Sequence, residues 1–75
     1  MYAYSIGYQC YSCYDNYDHH ININVTPSQT WSVLDLYDIM PGYVKLTRDH
    51  ISIFISSEEF ERNWKYCKNE EENKL

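Results

Sequence analysis

Residues 25–42, "VTPSQTWSVLDLYDIMPG", decide how this chain folds. The stretch carries start and stop signals for a helix. Thr26 followed by Gln29 makes a capping box, and Pro27 suits the first helical position. Pro41 and Gly42 end it. At 100° per residue, Val33, Leu34, Leu36, Tyr37 and Met40 share an apolar face, with Trp31, Asp35, Asp38 and Ile39 on the other side. The pattern predicts a helix.

The segments before it alternate with a period of two. In "YAYSIGY" Tyr2, Tyr4, Ile6 and Tyr8 share a face. In "HHININV" His19, Ile21, Ile23 and Val25 do the same. Asp15-Asn16 suits a turn between them, which predicts an antiparallel hairpin. Beyond the helix, "YVKLT" and "HISIFIS" predict a second hairpin across Arg48-Asp49. A second helix begins with the Ser56–Glu59 capping box and carries a stripe of Phe60, Trp64 and Cys67. Glu58–Arg62 and Glu61–Lys65 are helix-supporting pairs. The order ββαββα predicts a small two-layer α+β domain over residues 1–68, an antiparallel sheet with two helices on one face. Residues 69–75 read as a polar, acidic tail.

Seventy-five residues make one domain, and at this length only about 60% of the unfolded surface is buried. That leaves little room for an enclosed substrate pocket. Nine tyrosines exceed what such a core hides, so several are expected at the surface, where amphipathic rings favour contact with another molecule. The net charge is −5, and Lys45, Arg48, Arg62, Lys65, Lys68 and Lys74 are scattered or matched by nearby Glu. Direct nucleic-acid binding needs clustered cations and is disfavoured. A basic protein surface is the better partner. No apolar run is long enough for a membrane span, and residues 1–10 lack the pattern of a secretory signal. Three cysteines form no framework of bridges, which points to the reducing cytoplasm.

Residues 8–20, "YQCYSCYDNYDHH", hold zinc-type ligands: Cys10, Cys13, His19 and His20. The Cys-x2-Cys spacing fits a metal knuckle. On strands, however, residues three apart and adjacent residues both point to opposite faces. Small half-buried strand cysteines are the plainer reading. No cofactor is expected. Two glycines exclude a glycine-rich phosphate cradle, no nucleophile elbow occurs, and Arg48-Asp49-His50 reads as a hairpin tip. An enzyme is not expected.

In size and charge the chain resembles the small, acidic, compact proteins with which phages and other mobile elements block host machinery. Together these features suggest a protein-binding inhibitor or adaptor that occludes a site on a larger partner. Its contact residues would be Tyr11, Tyr14, Asp15, Tyr17 and Asp18 at the first hairpin tip, and Trp31, Asp35 and Asp38 on the first helix. The tyrosine rings are also compatible with a homodimer. Two alternatives are a zinc-stabilised module using Cys10, Cys13 and a histidine, and a nucleic-acid mimic whose carboxylates stand where phosphates would.

Overall fold

The computed structural model describes residues 1–15 and 17–67. The elements run β1 (Tyr2–Ser5), β2 (Gln9–Tyr14), β3 (His20–Val25), β4 (Thr30–Asp35), β5 (Tyr43–Arg48), β6 (Ile51–Ser56), α1 (Ser57–Asn63) and β7 (Trp64–Cys67). All strand pairs are antiparallel, in one sheet ordered β3-β2-β6-β5-β4-β1-β7. The expected two-helix α+β domain is therefore wrong. Among the described residues the chain forms a seven-stranded antiparallel sheet with one short helix. The polar tail expected at residues 69–75 lies outside the described residues.

The first correction falls on residues 25–42. The capping box forms, since Thr26 N donates to Gln29 Oε1 at 3.2 Å and Gln29 N donates to the Thr26 carbonyl at 3.1 Å. It closes a single turn, and no helix follows. From Thr30 the chain is extended, with Trp31 and Val33 buried and Ser32 and Leu34 exposed. Aromatic and β-branched side chains favour that alternation. Two strands also claim this one: β1 pairs with it through Ala3↔Trp31, and β5 through Val33↔Leu46. The presumed helical face is split accordingly: Val33 and Leu36 are buried, while Leu34, Tyr37 and Met40 are exposed.

The second correction falls on the last helix. Ser56 caps it as expected, its Oγ accepting from Glu59 N at 3.1 Å. The helix stops at Asn63, and Trp64 is already extended with φ −130 and ψ 157. Residues Trp64–Cys67 then fill the open edge of β1, from Ser5↔Trp64 to Tyr2↔Cys67. The Glu58–Arg62 pair forms at 3.6 Å on the surface. Lys65 lies in β7, away from the helical geometry that would set it against Glu61.

The second hairpin forms close to where the sequence implied, but the first is a further correction: the expected strand Tyr2–Tyr8 splits, Tyr2–Ser5 pairs with β4 and β7, and Gln9–Tyr14 lies against β3 instead. β2 pairs with β3 from Gln9↔Val25 to Tyr14↔His20, and β5 with β6 from Tyr43↔Ser56 to Arg48↔Ile51. Asn16, in the expected first turn, lies outside the described residues. β1 breaks from β2 after Ser5, whose buried hydroxyl donates to the Gly7 carbonyl. In β1 the buried face is Ala3 and Ser5, with Tyr2 and Tyr4 half-buried on the other.

This order forces the sheet to curl. In a flat sheet four inter-strand spacings of about 4.8 Å, roughly 19 Å, would part β1 from β2. The four steps from Ser5 to Gln9 reach about 14 Å at most. The sheet bends until its ends approach, and side chains join them across the interior. Trp64 of β7 donates its Nε1–H to the Tyr11 hydroxyl of β2 at 3.2 Å, and that hydroxyl donates to Glu59 Oε2 of α1 at 2.8 Å. Trp64 stacks on Phe60 at 6.2 Å and meets Trp31 edge-on at 6.3 Å. Leu46, Ile53 and Val25 are fully buried beside them. One bridge, Tyr14↔Ser52, joins β2 to β6.

Candidate functional surfaces

The first hairpin tip is built around Asp15. Its Oδ1 accepts from Tyr17 N at 2.8 Å and His19 N at 2.9 Å, and its Oδ2 lies 3.4 Å from His19 Nδ1. The His19 backbone bond, with further help from the Tyr17 amide and the His19 ring, holds its carboxyl below the ordinary carboxylate range. Asp18 takes a left-handed φ of 62, which Asp tolerates better than most residues. Asp15 thus shapes the tip and spends its oxygens there. Tyr14 and Tyr17 are 62% and 80% exposed, leaning edge-on to His20 and tilted toward His19. Tyr11 turns inward as part of the tie to Trp64, its hydroxyl pKa pushed up to about 12, chiefly by burial.

Cys10 is exposed and Cys13 buried, on opposite faces of β2. Burial, assisted by the Asp15 charge, raises the Cys13 thiol. His20 faces outward beside Tyr14, and His19 belongs to the Asp15 turn. Among the described residues no group of three or more His, Cys, Asp and Glu comes together as a metal site.

Trp31, read from sequence as exposed beside Asp35 and Asp38, is a core residue at 2% exposure. Asp35 ends β4 and Asp38 lies in the β4–β5 loop; both are exposed. Asp35 Oδ1 accepts from Tyr37 N at 3.0 Å, and Ile39 N and Met40 N both donate to the Leu36 carbonyl. Gly42, at φ 85, returns the chain into β5.

Around this acidic pair stand large apolar side chains that the helical reading had distributed otherwise. Tyr37 is 67% and Ile39 78% exposed, with Met40 and Tyr43 open beside them. On the outer sheet face, Leu34 and Phe54 flank Lys45 through Leu34↔Lys45 and Lys45↔Phe54, and Lys45 Nζ stands 5.9 Å from the Phe54 ring centroid. The period-two pattern of β4 to β6 carried this signal, since each buried residue implies an exposed neighbour.

The two candidate surfaces do not meet. The Tyr14↔Ser52 bridge sets the first hairpin tip at the β5–β6 turn end of the sheet, whereas the β4–β5 loop leaves from the opposite end. Near the β5–β6 turn a cleft of about 380 Å³ opens between β3 and β4. Among the described residues no helix is long and apolar enough to cross a membrane. Comparison with protein-family models, with characterised proteins and with solved structures finds no match.

Proposed function

We propose that this chain is a non-catalytic protein-binding module, an inhibitor or adaptor of the kind mobile elements use, which occludes a basic site on a larger partner protein. The β4–β5 end of the sheet carries the contact. The supporting observation is the exposure of Leu34, Tyr37, Ile39, Met40, Tyr43 and Phe54 around the carboxylates of Asp35 and Asp38. Contiguous exposed apolar surface edged by charge is characteristic of interaction sites. The overall charge of −5 draws such a surface to a cationic one. The exposed Cys10 thiol suits a reducing compartment, the cytoplasm.

The test begins with affinity capture, then measures binding rates at two salt concentrations. Asp35→Asn with Asp38→Lys leaves the fold intact, because both residues are exposed and Asn keeps the side-chain oxygen that accepts from Tyr37 N. Association should slow and lose its salt dependence. Tyr37→Ala with Ile39→Ala should hasten dissociation. If both pairs bind like the parent while Tyr14→Ala with Tyr17→Ala does not, the first hairpin tip is the contact and this assignment is wrong.

A further inference from the structure

The cleft near the β5–β6 turn lies at the end of the sheet away from the proposed docking surface. Its apolar lining comes from Ile23 of β3, Trp31 of β4 and Ile51 of β6. At about 380 Å³ it falls in the range of small-molecule sites, roughly 300–1,000 Å³. Arg48 and Asp49 line it too, and neither has an ion pair among the described residues. Arg48 Nη1 donates to the Thr30 carbonyl at 2.9 Å, which anchors the guanidinium and leaves further N–H groups to donate. Asp49 sits in the turn at φ 55.

Trp31 is the buried part of this lining, 2% exposed. Its Nε1 has no acceptor among the described residues, and a nitrogen so buried is closed to a ligand in the cleft. Gln29, also in the lining, already spends its Oε1 on Thr26 N. The cleft thus combines an apolar lining with a cation and an anion.

We propose that this cleft binds a free α-amino acid with an apolar side chain. The ligand's carboxylate meets Arg48. Its ammonium meets Asp49, and its side chain lies against Ile23, Ile51 and the indole. A plain carboxylic acid would leave Asp49 unmatched, and a plain amine would leave Arg48 unmatched.

The indole N–H signals of ¹⁵N-labelled protein provide the readout, because the chain has two tryptophans and, of these, Trp31 lines the cleft and Trp64 does not. Titration with L-phenylalanine should move the Trp31 signal saturably and leave that of Trp64 nearly still. Phenylacetate and phenethylamine each lack one charged contact worth roughly 1.5–3 kcal/mol, so each should bind about ten-fold or more weakly. Arg48→Gln should weaken phenylalanine binding similarly. As Arg48 also holds the Thr30 carbonyl, Asp49→Asn is the second variant: it keeps a side chain that tolerates the left-handed turn and should erase the preference for phenylalanine over phenylacetate. A Trp31 signal unmoved by phenylalanine up to roughly 20 mM, far beyond millimolar affinity, overturns the proposal. So does phenylacetate binding to the parent as tightly as phenylalanine.

Discussion

Replacing Tyr11 by Phe removes one oxygen from the point where the two ends of the curled sheet are tied. Phe keeps nearly the same volume, so the loss is polar. The Trp64 indole N–H, on a residue 3% exposed, loses its acceptor and has no route to water. That costs roughly 1–3 kcal/mol. Glu59 is half-buried and turns to solvent at small cost. The expected loss of about 2 kcal/mol comes from a total near the low end of about 5–15 kcal/mol, and lowers Tm by about 8–16 °C. Burial, which outweighs the lowering effect of the Trp64 bond and is assisted by Glu59, lifts the Tyr11 pKa from 10.0 to about 12. The folded state then keeps a proton that the unfolded chain releases. The associated stability is complete below pH 10 and disappears as pH rises toward about 12. Two pKa units set a ceiling of about 2.7 kcal/mol, which partial solvent screening cuts to roughly 1 kcal/mol. Urea melts followed by tryptophan fluorescence, at neutral and alkaline pH, measure both effects. A Tyr11→Phe protein melting within about 2 °C of the parent at neutral pH, with unchanged alkaline sensitivity, refutes the tie.

Ile53, at 2% exposure in β6, should cost about 2–5 kcal/mol on truncation to Ala, read from the urea midpoint. Gly42→Ala meets no steric obstacle, yet φ 85 should make it about 1–2 kcal/mol less stable by thermal melt. The Asp15 carboxyl, held below its ordinary 3.8, supports the tip above that value and releases it as pH falls through the lower folded one. The amide signals of Tyr17 and His19 should therefore shift together at acid pH, and Asp15→Ala should displace them already at neutrality. Signals unchanged by that substitution would show that Asp15 does not order the tip.

What the sequence made legible was local. The β5–β6 hairpin and the Ser56 cap are each specified by residues within a few positions of one another, whereas the partner of β3 was misread as Tyr2–Tyr8. Residues 25–42 support two periods at once, because Val33 and Leu36 suit a helical stripe and Trp31 and Val33 suit a strand. Partners distant in sequence decide between them: Ala3 on one side of β4 and Leu46 on the other. The same applies at Trp64, where the empty edge of β1 draws the chain out of its helix. The candidate surfaces followed the elements. Tyr14 and Tyr17 stand at the surface as expected, Tyr11 turns inward against expectation, and Trp31 was misplaced by a helix that does not form. The cleft needs β3, β4 and the β5–β6 turn to converge, and no local pattern announces that.

The position of β1 has a consequence during synthesis. Its two neighbours are β4 and β7, so a strand ending at Ser5 waits for one ending at Cys67. At about 5–20 residues per second, translation imposes a delay of roughly 3–12 s between them. Throughout that interval the backbone edge of Tyr2–Ser5 that β7 will cover stays open to any other strand, including that of a neighbouring nascent chain. The hairpins can pair soon after they are made, whereas β1 is sealed only once β7 has followed, so those seconds leave its edge exposed to association.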